Sequence, residues 1–202
     1  MLQEILKAAT KDHHDELESL MFVNEIMNKT LTLQQYKTLL ATNYIVHSAV
    51  EPELHAALDR ETKNRLRIEN RNKVDALAKD VQDMGMDKAA LDAVEISFSI
   101  PAHQSKAAAL GAMYVLEGAT LGGHVINKKL KANPAFENLE LHYYGVYGKE
   151  LMPNWLGFVE TMNASVPEAE YDVAKDSAVN MFSLIAEVSR RVKAFIPSAI
   201  EV

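Results

Sequence analysis

The stretch Tyr114-Val115-Leu116-Glu117-Gly118-Ala119-Thr120-Leu121-Gly122-Gly123 sets three glycines inside a segment that otherwise reads as one long helix, from about Gln104 to Leu130. A glycine in a helix interior costs roughly 1 kcal/mol relative to alanine, so three of them need a reason. Gly118 and Gly122 are four apart and Gly111 is seven before Gly118, which puts them on one helical face with Gly123 beside it. Bare backbone lets a flat, bulky ligand lie directly against the helix and lets the helix bend. Small residues at the same spacing also let a neighbouring helix approach closely, and spacing alone leaves both readings open.

Outward from this stretch, helical periodicity dominates and strand alternation is nearly absent. The spacing predicts a first helix over 2–20, with Leu2, Ile5, Leu6, Ala9, His13, Leu17 and Leu20 on its apolar stripe. Thr32 is placed to cap a long helix over 33–58, broken or bent at Pro52. Further helices are expected over 70–84, ended by Gly85, and over 87–94. Pro101 precedes the glycine-bearing helix, and Asn133-Pro134 with the Gly145/Gly148 region makes the longest loop. A helix over 151–163 leads to Pro167, which opens a last one to about Phe195. With no repeat, linker or low-complexity tract, the chain reads as all-α, a single multi-helical bundle domain over 1–202.

The 202 residues are 48% apolar and 24% charged, a composition that folds with a sizeable core. The chain has no cysteine, which excludes disulfides, thiolate ligands and a cysteine nucleophile. Met1-Leu2-Gln3-Glu4 lacks the layout of a signal peptide, and no apolar run is long enough to span a bilayer, so a cytoplasmic protein without membrane partners is expected. A net charge of −7 argues against nucleic-acid binding. The local exception, six basic residues between Arg60 and Lys73, reads as a solvated loop and helix start.

Near the N-terminus, His13 and His14 point about 100° apart on a helix. His13 falls on the apolar stripe and is expected to be a core histidine with a backbone partner. His14 falls off it, on the side of Lys7, Thr10 and Glu18, and the spacing i, i+7, i+11 puts Lys7, His14 and Glu18 on one face. A neutral imidazole there can bind iron, a lysine can neutralise a carboxylate, and a glutamate one turn on can orient the ring.

Leu6-Lys7-Ala8-Ala9-Thr10-Lys11-Asp12-His13-His14-Asp15-Glu16-Leu17-Glu18 resembles the start of biliverdin-producing heme oxygenases, which read L-K-x-A-T-x-x-x-H-x-x-x-E. The string from Gly118 to Gly123 resembles the family's distal helix, in the L-E-G-S-T-L-G-G form of bacteriophytochrome-associated bacterial enzymes rather than the G-D-L-S-G-G form of mammalian-type members. Tyr143-Tyr144-Gly145-Val146-Tyr147-Gly148, followed by Trp155 and Phe158, resembles the F-Y-x-G-Y-G…W-x-x-F segment of the same subgroup, although an aromatic core would also explain it. Tyr36, Tyr44, Glu51 and Glu53 resemble the second family helix more loosely. The resemblance covers roughly 2–58, 110–130 and 143–158.

This resemblance implies a heme oxygenase-like fold and cleavage of heme to biliverdin, carbon monoxide and ferrous iron with dioxygen. It makes heme b both substrate and cofactor. It implies His14 as the iron ligand and Lys7, Glu18, Tyr114, Gly118, Gly122 and Gly123 as heme contacts, with Gly118, Ala119 and Gly122 shaping the catalytic face. Ala119 stands where mammalian-type members keep a distal aspartate, which leaves the proton route to ordered water, Thr120 or His124. The stretch 154–163 has no Lys or Arg to hold the heme propionates, leaving Lys7 with Lys128, Lys129 or Lys149. No flavin or nicotinamide fingerprint is present, so a separate electron donor, a ferredoxin or a reductase, is expected. The subgroup implies a bacteriophytochrome as biliverdin acceptor. The missing aspartate and arginines point to an alternative, a heme-binding or storage protein of the same fold. A di-iron carboxylate protein would need Glu-x-x-His pairs, and no histidine here has a glutamate three residues before it.

Overall fold

The computed structural model describes residues 1–98 and 105–195. Among these residues there are ten α-helices and no strand: α1 Leu2–Ala9, α2 Lys11–Leu20, α3 Val23–Met27, α4 Leu33–Ala56, α5 Arg60–Leu66, α6 Val74–Asp83, α7 Lys88–Asp92, α8 Ser105–Lys131, α9 Leu151–Ser165 and α10 Tyr171–Phe195. The all-α expectation holds. Pro101 and Gln104 lie outside the described residues.

Two long helices organise the bundle. α10 packs along α8 and also carries α4, α2 and α1 on its other sides. The α8–α10 crossing is lined by small residues, with Ala174 and Ala178 fully buried and Ser177 Oγ donating to the Ala108 carbonyl at 2.7 Å. α4 is buried on most of its circumference, from Tyr36 through Leu40, Tyr44 and Val50 to Leu54. Such a helix needs neighbours on every side, and α4 finds them in α6, α7, α8 and α10.

Local signals place several boundaries where the sequence put them. Thr32 Oγ1 accepts from the Gln35 backbone at 3.2 Å while Gln35 Oε1 accepts from the Thr32 N–H at 2.9 Å, a reciprocal cap at the start of α4. Gly85 takes φ +62 just past α6, a left-handed conformation that glycine adopts freely.

Three expectations are corrected. The first helix is two: at Thr10 the backbone opens to φ −100, ψ 2, with the threonine hydroxyl donating to the Leu6 carbonyl at 2.8 Å. A threonine hydroxyl competes with the helical ladder in this way. α4 is not broken at Pro52; the helix runs through it, and the exposed proline leaves its missing N–H on the solvent side. The helix expected from Asn70 begins only at Val74, because Arg67 is left-handed, 68–70 form a 3-10 turn, and Arg71 and Lys73 turn inward.

Candidate functional site

The glycines of α8 divide by position. A Cβ at Gly111 would collide with the Ala174 carbonyl and sit 2.8 Å from Ala174 Cα, so this glycine serves the close α8–α10 crossing and not a ligand. At Gly118 a Cβ would meet the Trp155 ring at 3.7 Å, an ordinary contact. At Gly123 it would meet Tyr144 Cδ1 at 3.4 Å. At Gly122 it would meet nothing within 4 Å. Helix packing therefore accounts for Gly111, and at Gly122 the backbone is exposed and uncovered.

α2 leans on the same helix, α10, that supports α8. The His14 ring meets the edge of Phe182 with centroids 6.2 Å apart. The imidazole is otherwise open, 59% exposed, with Nδ1 3.6 Å from Glu18 Oε1 and 4.0 Å from Asp15 Oδ1. Lys7 is exposed on α1 with no ion-pair partner among the described residues. His13 departs from expectation: it is only half-buried and makes no side-chain hydrogen bond to the described residues, because α2 lies at the surface and none of its residues is fully buried. Tyr114 is half-buried, its ring 5.7 Å from that of Trp155, and burial raises its hydroxyl pKa. Lys128 and Lys149 are exposed, while Lys129 Nζ donates to the Met27 carbonyl at 3.5 Å.

A cleft of about 290 Å³ runs along α8 beneath the 143–148 loop, lined by Ala119, Thr120, Gly123, His124, Asn127, Tyr143 and Tyr147 among others. Neither Gly118 nor Gly122 lines it, so it follows a different face of the helix and meets the glycine face at Ala119 and Gly123. Thr120 Oγ1 donates to the Glu117 carbonyl at 2.6 Å, which leaves its oxygen free to accept.

Sequence reasoning missed the most connected feature of the site. Glu117, immediately before Gly118, is 2% exposed and receives Lys73 Nζ at 2.7 Å, the Tyr147 hydroxyl at 3.0 Å and Arg71 Nη1. The Lys73 backbone N–H donates to Glu51 Oε2 at 3.0 Å, and Glu51 Oε1 meets His47 Nδ1 at 2.8 Å. His47 Nε2 faces the Tyr143 hydroxyl at 3.2 Å, which in turn donates to Asn43 Oδ1. Burial opposes ionisation of Glu117, but Lys73 and Arg71 outweigh it and hold the carboxyl below its usual range. Burial likewise opposes ionisation of Glu51, and His47 and Lys73 reverse it. Burial also pushes the Tyr147 hydroxyl up to about 12. Two cations thus balance two carboxylates away from water. The solvated reading of the Arg60–Lys73 run fails for Arg71 and Lys73, which are 3% and 2% exposed. The signal available was Glu117 itself, a lone carboxylate after the apolar run 107–116.

Asp80 holds the aromatic segment in place by accepting the backbone N–H groups of His142 and Tyr143, both at 2.8 Å. The tyrosines of this segment are packed as core: Tyr143 and Tyr147 are buried, and Tyr144 stacks at a tilt on Tyr143 with centroids 5.0 Å apart.

The heme oxygenase family model matches residues 1–191, and the chain belongs to that family of heme-degrading oxidoreductases. Its fold is that of solved heme oxygenases. The NO- and CO-bound heme oxygenase of Neisseria meningitidis superposes with a TM-score of 0.72 at 22% identity, over 98% of this chain and 95% of that one. The Leptospira interrogans heme oxygenase gives 0.74 at 17% identity, over 93% and 98%. Heme oxygenase-1 of the cyanobacterium Synechocystis sp. PCC6803, solved in complex with heme, gives 0.70 at 18% identity, over 96% and 92%. No curated protein matches the chain in sequence. No helix among the described residues is long and apolar enough to cross a membrane.

Proposed function

We propose that this chain cleaves heme to biliverdin, carbon monoxide and ferrous iron, using dioxygen and electrons from a separate ferredoxin or reductase, with His14 as the iron ligand. The observation that carries the reading is one pairing on α10. α2 rests there with an open imidazole at His14, and α8 packs there with backbone left uncovered at Gly122. These residues fit heme: an aromatic-edged, side-chain-poor helix face suits a porphyrin, and an exposed imidazole suits its iron. Heme, once bound, supplies the oxygen chemistry and is itself the molecule consumed.

The remaining work falls to the chain. Glu18 lies beside Nδ1 of His14 and orients the ring, which leaves Nε2 for the metal. Lys7 is open to pair with a propionate carboxylate, and Tyr114 closes the slot at the Trp155 side. Gly122 offers backbone where a side chain would fill the slot, while Gly118 lies against the Trp155 ring and Gly123 against Tyr144, so that these two rings border it. Ala119 has no proton to hold, so proton delivery uses water between Thr120 Oγ1 and the exposed His124 ring in the adjoining cleft. The similarity of 118–123 to the bacteriophytochrome-associated form supports a phytochrome as acceptor of the product and a cytoplasmic setting.

Reconstitution with heme, followed by reductant under air, tests the activity: biliverdin absorbance is expected, and a Soret band that persists unchanged rejects it. The ligand is tested with His14→Ala. Its heme spectrum is expected to lose the imidazole-ligated form and to regain it with added imidazole; an unchanged spectrum removes His14 from the role.

A further inference from the structure

We infer that Arg71 is a positioning residue that sets the gap between Gly118 and Trp155, and through that gap the seat of heme against α8. The inference rests on the proposed heme slot and adds a residue to it through Glu117 and Asn154, the residues before Gly118 and Trp155.

The guanidinium of Arg71 is buried with its donors spread over three elements. Nε donates to the Leu66 carbonyl at the end of α5 at 2.7 Å. Nη1 donates to Glu117 Oε2 on α8, and Nη2 donates to the Asn154 carbonyl on α9 at 3.0 Å. Glu117 is the residue before Gly118, and Asn154 is the residue before Trp155. The guanidinium carbon also lies 5.8 Å from the centre of the Phe158 ring, which stacks on Trp155 at 6.0 Å. One rigid plane therefore holds both sides of the Gly118–Trp155 contact, directly through two hydrogen bonds and again through the Phe158–Trp155 stack. A lysine at this position would match the charge of Glu117 but could not span α8 and α9 at once, because it lacks the planar fork.

This assigns Arg71 a function separate from charge balance, since Lys73 also neutralises Glu117. With the fork removed, α9 is free to shift on α8, and the Trp155 ring leaves its place over Gly118.

The test uses the full chain with Arg71→Lys and Arg71→Met, and reads the single tryptophan of the protein without heme. Arg71→Lys is expected to remain folded and to raise acrylamide quenching of Trp155 about twofold, as expected when a packed contact opens locally. In heme-loaded protein the same variant is expected to keep the parent Soret position, because His14 is untouched, and to change the ratio of biliverdin isomers. Should Arg71→Met not fold, Arg71→Lys decides alone. Parent-like Trp155 quenching and an unchanged isomer ratio, with only a lowered melting temperature, would overturn the inference and leave Arg71 as a stabilising ion. If the parent makes no biliverdin, the functional proposal falls, and the quenching of the heme-free protein still judges Arg71.

Discussion

Lys73 Nζ stands 2.7 Å from Glu117 Oε1, and neither side chain reaches water. The pair ties the segment before α6 to the centre of α8, one residue from the first glycine of the proposed heme face. With Arg71 and Glu51 it forms a neutral cluster whose members each depend on the others.

Removing one member should therefore cost more than its own contacts. Lys73→Met is expected to destabilise the fold by about 3–5 kcal/mol, because it leaves two buried carboxylates with Arg71 as the one remaining cation of the pair. Adding Glu51→Gln to that variant restores the charge balance, so the double variant is expected to lose less than the sum of the singles. Urea midpoints of the four proteins give the coupling directly, and strict additivity would show that the cluster is not one electrostatic unit.

The depressed carboxyls give stability a direction in pH. Glu51 has an ordinary value of 4.5 and lies below it in the fold, as does Glu117. A carboxyl lowered by folding contributes fully above its unfolded value, and the contribution is lost as pH falls through the folded one. Stability is expected to be flat above about pH 5 and to drop below it. Glu51→Gln should start lower at neutral pH and fall less steeply in acid; an identical acid slope in the variant would assign the effect to other groups.

Gly111 and Gly122 should respond oppositely to the same substitution. Gly111→Ala drives a methyl into the Ala174 carbonyl and is expected to cost about 3 kcal/mol or more, unless α10 moves away. Gly122→Ala meets no neighbour and is expected to gain up to about 1 kcal/mol through helix propensity. Gly122→Leu should fold as well as the parent and fail to make biliverdin at the parent rate. Thermal melts beside product formation separate the two positions.

At His14, the neighbouring Glu18 offers a graded test. Glu18→Gln keeps the size of the side chain but weakens the orientation of the ring, and heme affinity is expected to fall about tenfold. Because both groups are exposed, the melting temperature of the heme-free protein should stay unchanged. Heme titration of the two proteins measures the difference, and equal affinities would remove Glu18 from the site.

How much of this was legible from the chain varies residue by residue. Thr32 and Gly85 act within one turn of their own position, so capping chemistry identified them without knowledge of any neighbour. Helical spacing put Lys7, His14 and Glu18 on one face, but the break at Thr10 leaves only His14 and Glu18 on a common helix, 3.6 Å apart, with Lys7 on the preceding one. The separate fates of Gly111 and Gly122 were not legible, because identical residues on one face differ only in what stands opposite: Ala174 for one, nothing within 4 Å for the other.

The sequence by itself determined the all-helical character, the ends of most helices and the family, because these depend on periodicity, caps and short motifs carried along the chain. Only the tertiary structure decided that Arg71 and Lys73 are interior while their basic neighbours on α5 are not. Burial of a charge depends on a partner distant in sequence, and Glu117 is 44 residues from Lys73. No local pattern records that meeting, which exists only once α4, α8 and α9 have closed around it.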